Sequence, residues 1–267
     1  MTTRRQFLKA VIMSAGGTVP ILRRVAAMGD ASLFKFALLR HNGGWNSRPF
    51  TPQRILSEID LRTSIKVAFE PVPVAPMRDE LFDHPFLWMN GNRAFDSFSE
   101  KSVKHLRRFL RFGGTIFADD GSGKENSPFK ASLTRELKRI FPARTLKPLP
   151  EEHAVYHSFY YLKEAVGRFE VDPNLEAITV DGRACLIYSP NDLSGALEGK
   201  GEGQWTYKLD SGKSSDREKA MRLAINAIMY ALTVDYKLDQ VHVSYQLRHP
   251  SRYPEASPAL EDPSESR

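Results

Sequence analysis

The carboxylate pair Asp119-Asp120 is the sharpest concentration of chemically capable side chains in this chain of 267 residues. It ends the apolar run Thr115-Ile116-Phe117-Ala118 and leads into Gly121-Ser122-Gly123. Carboxylates so placed could act as general acid, general base or ligands to a hard cation such as Mg²⁺ or Ca²⁺. Successive strand side chains project to opposite faces, so at most one of the two is expected to face a ligand while the other caps the next helix or binds nearby amides. Three further polar loops also follow apolar runs: His41-Asn42-Gly43-Gly44-Trp45-Asn46, Asn90-Gly91-Asn92 and Ser189-Pro190-Asn191-Asp192. Each alone uses the residues any turn uses. Together, at one end of a sheet, they would form a shared pocket, with Gly43, Gly44, Trp45, Asn90, Asp119, Asp120 and Asp192 as candidate ligand-binding residues. The Gly-Ser-Gly is not a phosphate loop, because its spacing to Lys124 lacks the Walker pattern.

Other candidates carry less. His153 and His157 stand four apart and could share a helical face toward zinc, but Ala154 occupies the position a metalloprotease fills with glutamate. A cap or surface role is expected, and no metal is assigned. Tyr156, Phe159, Tyr160 and Tyr161 could stack on a sugar ring or simply pack. Cys185, the single cysteine, lies in Ala184-Cys185-Leu186-Ile187-Tyr188 and reads as a buried structural thiol. The residues name no cofactor.

The elements that must position these groups alternate between strand-length apolar runs and helical patterns. That order predicts an α/β fold, a three-layer α/β/α sandwich on a mostly parallel sheet. Strands are expected at 33–39, 66–69, 86–89, 115–118, 177–180 and 184–188. Pro71, Pro73 and Pro76 hold the chain after the second extended, so it is expected to be an edge strand or a crossing linker, and Asp181-Gly182 marks a hairpin between the last two. Helices are expected behind Thr51 as N-cap with Pro52 at the first position, behind Ser99, through Leu133, Leu137 and Ile140, and behind a capping box at Ser215–Glu218.

The N-terminus gives an address. Thr3-Arg4-Arg5-Gln6-Phe7-Leu8-Lys9 reads as a twin-arginine export signal, and the apolar run to Leu22 is broken by Gly16, Gly17 and Pro20. It falls short of the roughly 18 residues of a membrane span, so cleavage near Ala27 and a periplasmic location are expected. Residues 1–27 hold five basic residues and no acidic one, so their removal takes the formal charge from +6 to +1. The mature chain therefore gives no reason to expect nucleic acid as a partner. Residues 28–247 are read as one domain and 248–267, rich in Pro, Ser and Glu, as a disordered tail.

Several segments together resemble a known family. The Gly43-Gly44-Trp45-Asn46 loop, Pro85–Gly91, Phe109–Asp120 and Ile187–Leu193 look like the bacterial domain-of-unknown-function family numbered 4159. The resemblance implies a class I glutamine amidotransferase-like, flavodoxin-like fold. It also implies envelope partners encoded with MoxR-type ATPase and von Willebrand-type modules, beside the twin-arginine export machinery. Active amidotransferases carry a catalytic cysteine on an elbow where this chain has Ala118-Asp119-Asp120-Gly121, and Cys185 lies on another strand. The resulting expectation is an exported ligand-binding or envelope-assembly module without the glutaminase nucleophile. The alternative is a hydrolase or carbohydrate-active enzyme that uses Asp119 or Asp120.

Overall fold

The computed structural model describes residues 33–201 and 203–248, with side chains as far as Thr233. The expected leader of residues 1–27 and the expected tail beyond Arg248 lie outside the described residues. In chain order the elements are β1 (Phe34–Leu39), α1 (Thr51–Arg62), β2 (Val67–Val74), β3 (Phe86–Gly91), α2 (Glu100–Arg111), β4 (Thr115–Asp120) and α3 (Pro128–Ile140). Then come β5 (Lys147–Pro148), β6 (Glu176–Val180), β7 (Arg183–Ser189), α4 (Leu193–Leu197), β8 (Gly199–Gly201), β9 (Gln204–Trp205) and α5 (Ser215–Arg248). Among the described residues no helix is long and apolar enough to cross a membrane.

β1 to β7 form one sheet in the order β2-β1-β3-β4-β7-β6-β5. The pairs from β2 through β7 are parallel, whereas β6 runs against both of its neighbours. Every residue of β3, β4 and β7 is buried, because helices cover both faces and a central parallel strand meets water on neither side. On one face α1, α4 and α5 pack over Phe36, Trp88, Phe117 and Ile187. Trp88 anchors that core, with ring centroids 4.6 Å from Phe117 and 5.4 Å from Phe36. On the other face α2 and α3 cover Leu39, Leu87, Met89 and Leu186.

Local chemistry accounts for most boundaries. Asp181 (φ 50°) and Gly182 (φ 77°) both take the left-handed conformation that a tight two-residue hairpin needs, joining β6 to β7. Ser99 and Ser127 cap α2 and α3 by accepting the amides of Ser102 and Lys130. β2 is the edge strand expected from its prolines. The carbonyls of Lys66 and Val74 accept from β1, so Pro71 and Pro73, of opposite parity, turn their missing donors to the open side.

Two helix starts differ from expectation. Thr51 is the first residue of α1 rather than its N-cap, and Phe50 precedes it without a side-chain cap. The buried carboxylate of Glu198 takes that role, accepting from the amides of Phe50 (3.2 Å) and Thr51 (3.0 Å) and from the Thr51 hydroxyl (2.7 Å). An ionised oxygen is a stronger acceptor than a hydroxyl, and here the hydroxyl donates. At α5 the Ser215–Glu218 box does not close, because Glu218 turns outward to Arg62 and Arg222. Glu198→Ala is therefore expected to cost about 2 kcal/mol by leaving the amides of Phe50 and Thr51 without their acceptor, while the Thr51 hydroxyl keeps the Ser194 carbonyl at 2.8 Å. A urea midpoint that falls at unchanged m-value checks it.

Candidate functional site

The carboxyl ends of β1, β3, β4 and β7 lie side by side, and backbone bonds stitch the loops that follow them. Asn92 donates to the Gly43 carbonyl (3.1 Å), Gly121 to Gly91 (2.7 Å) and Asp192 to Asp120 (3.0 Å). Asn90, Asp119 and Ser189 stand in register across β3, β4 and β7 and so share one face. The four loops named from the sequence thus meet at one sheet end.

Asp119 lies wholly buried beneath α4 and accepts the amides of Leu193 (2.9 Å) and Ser194 (2.7 Å). Asp192 adopts a left-handed conformation (φ 53°) and caps the same helix through the Gly195 amide at 2.9 Å. Its carboxylate takes a two-pronged grip from Arg48, with Nε at 3.1 Å and Nη2 at 2.7 Å, and Arg168 stands at 3.5 Å. Both Arg48 and Asp192 are buried. Tyr207 is held between the two guanidiniums, 4.6 Å from Arg48 and 4.3 Å from Arg168.

Charge here is tuned by burial. Removal from water, and then the neighbouring Asp192 charge, push the Asp119 carboxyl up to about 7 against the pull of its amide donors. Burial also raises Asp192, with Arg48 and Arg168 opposing it. Burial works against the Arg48 charge, but the hydrogen bonds with Asp192 prevail and hold its pKa above the ordinary value. A carboxyl near 7 can exchange protons at neutral pH, yet both oxygens of Asp119 are engaged by backbone.

The other candidates separate from this cluster. Asp120 points to the opposite face, where it accepts from Ser122 N (2.9 Å), Tyr188 OH (2.9 Å) and the Ser127 hydroxyl, tying β4 to the start of α3. Trp45, half-buried, packs against the core that holds Trp88 and lies 5.6 Å from the Arg40 guanidinium. Gly43 and Gly44 let the loops after β1 and β3 interlock. A Cβ would sit 2.7 Å from the Arg93 carbonyl at Gly43, and 2.5 Å from Asn92 Oδ1 at Gly44, whose φ is +93°. His41 seals the junction, with Nδ1 accepting from Gly43 N (3.0 Å) and Nε2 donating to the Asn90 carbonyl (2.8 Å). Burial lowers it to about 4, so it stays neutral. The β1/β3 switch point, where open α/β sheets take ligands, is therefore filled by the protein's own loops.

Two atoms in the Asp119 row are left over. Asn90 Oδ1 and Ser189 Oγ are buried and, among the described residues, have no hydrogen-bond partner. Cys185 is also buried, and burial pushes its thiol up to about 11. His153 and His157 do not share a helical face: His153 caps a short turn through Val155 N, and His157 meets the Glu151 carbonyl. Among the described residues no group of three or more His, Cys, Asp or Glu is placed to hold a metal. Arg48, Arg168, Tyr207 and Glu198 escaped the sequence reading. Their partners lie far away in the chain, and the one local hint was an arginine in the loop that feeds α1.

An open, mostly parallel α/β sheet flanked by helices, with a buried charge cluster at its carboxyl end, defines the class of this protein. Residues 35–232, from β1 into α5, match the family described as a domain of unknown function, DUF4159, and the chain belongs to that family. No curated protein matches the sequence.

The raised Asp119 pKa sets a pH dependence. The folded state binds this proton up to about pH 7, whereas the unfolded chain releases it near 3.8. Between those values unfolding releases a proton, so the contribution of Asp119 to stability falls as pH rises and levels off above 7. Urea melts across pH 4–8 are expected to show that component in the wild type and to lack it in Asp119→Asn.

Proposed function

We propose that this protein is exported through the twin-arginine pathway and works in the periplasm as a non-catalytic binding or assembly module. Its scaffold, on this reading, is class I glutamine amidotransferase-like and lacks the catalytic cysteine. The strand order β2-β1-β3-β4-β7 with helices on both faces is compatible with that scaffold. One observation carries the non-catalytic reading: the carboxylates of this row, Asp119 at the end of β4 and Asp192 after β7, are spent on the protein's own backbone and on Arg48. Asn90 Oδ1 and Ser189 Oγ, unpartnered beside them, favour a small polar ligand or a partner's side chain as the bound species. Gly121 lies close against the ion pair, since a Cβ there would stand 3.2 Å from both Arg48 Nη2 and Asp192 Oδ1 and would crowd them. The family likeness favours envelope proteins encoded with MoxR-type ATPase systems as partners.

A second reading, a hydrolase using Asp119 or Asp120, is favoured by one feature, the Asp119 pKa near 7. It requires α4 to lift from Asp119 before substrate could reach it.

Two outcomes follow. Replacing Arg4 and Arg5 together with lysine is expected to leave folded precursor in the cytoplasm, because the export receptor distinguishes guanidinium from ammonium. Unchanged export of that variant, seen by fractionation, overturns the address. Native mass spectrometry of protein purified from the envelope is expected to show an added mass that Ser189→Ala loses while it retains its melting profile, since Ser189 Oγ has no partner within the described residues. Bare chain mass from the wild type counts against the binding reading, and hydrolytic turnover abolished by Asp119→Asn would favour the enzyme.

A further inference from the structure

A second concentration of charge lies away from the Asp119 row, where α1, the start of α5 and the segment from Leu197 to Ser214 meet. A cleft of about 330 Å³ opens there, and Arg54, Arg217, Trp205, Leu197 and Met221 are among its lining residues. The Trp205 indole is about one-third exposed and held between two guanidiniums, with Arg54 at 4.4 Å and Arg217 at 4.3 Å from the ring centroid. Backbone carbonyls orient both arginines. Arg54 donates to Gly199 (3.1 Å) and Gly201 (2.9 Å), and Arg217 to Tyr207 (2.6 Å) and Ala196.

What sets this cleft apart is its charge balance. Its acids are already committed: Glu58 pairs with Arg62, and Glu218 with Arg62 and Arg222. Among the described residues neither Arg54 nor Arg217 has a carboxylate partner, and Arg54 Nε is buried without an acceptor. Burial and the Arg54 charge lower the Arg217 pKa, the response expected of two cations held close with no anion among the described residues between them. Unpaired guanidiniums in a cleft favour an oxyanion, which they can grip with parallel N–H donors.

We propose that this cleft binds a small organic anion, its phosphate or carboxylate head held by Arg54 and Arg217 beside Trp205 and its apolar remainder against Leu197 and Met221. Neither the catalytic question nor the Asp119 row bears on this site. The test titrates phenyl phosphate and, separately, benzoate into the full chain at constant ionic strength, following tryptophan fluorescence and calorimetry. Saturable binding of one probe or both is expected, with Trp205→Phe removing the fluorescence change. Ser214→Glu, at an exposed position on the rim, places a carboxylate beside the arginines and is expected to weaken binding at least tenfold without shifting the thermal melt. Arg217→Gln is expected to weaken binding as well, and Ser214→Glu keeps the test valid if that variant unfolds. A preference between the probes decides phosphate against carboxylate. No saturable binding of either, or binding that Ser214→Glu leaves intact, overturns the proposal.

Discussion

An ion pair taken entirely out of water governs the architecture of this protein's carboxyl-end loops. Charges in a protein interior are tolerated only when paired and hydrogen-bonded in full. Arg48 and Asp192 meet that demand with a two-pronged contact, and the remaining capacity of Asp192 goes to the first turn of α4. The requirement propagates outward. Asp192 must take a left-handed backbone to cap its own helix, and position 195 must be glycine, since a Cβ there would fall 2.0 Å from Asp192 Oδ2. Tyr207 then covers the pair from outside, which draws the segment after β9 back over the sheet end.

The same economy explains why a fold with a natural ligand crevice has closed it. Glycines at 43 and 44 serve close approach of backbone to backbone, and neutral His41 fastens the seam. Asp119 and Asp120, adjacent in sequence, diverge to two tasks on opposite faces: one holds α4 and the other fixes β4 to α3. A pair that looks like an acid and a base is, in three dimensions, two rivets.

Much of the scaffold was legible because it rests on local rules. The apolar runs of β1, β3, β4 and β7, the hairpin at Asp181-Gly182, the cap at Ser99 and the edge position of β2 all follow from propensity, turn chemistry and proline. The meeting of four polar loops was legible too, since parallel neighbours must present their carboxyl ends together. The roles within it were not. Nothing local reveals that Asp119 would be claimed by amides 74 and 75 residues away, or that Glu198 would cap a helix 147 residues before it. The expected caps at Thr51 and Ser215 failed for the same reason, because a distant charged partner outcompeted the neighbouring side chain.

The two borders of the sheet have a consequence for how this protein can meet others. One border is β2, whose outward-facing positions include Pro71 and Pro73; the other is β5, two residues long and ending in Pro148. Neither offers the continuous ladder of donors and acceptors that an added strand must pair with. Among the described residues, both flanks therefore disfavour growth of the sheet by a neighbour's strand, whether as recruitment or as aggregation.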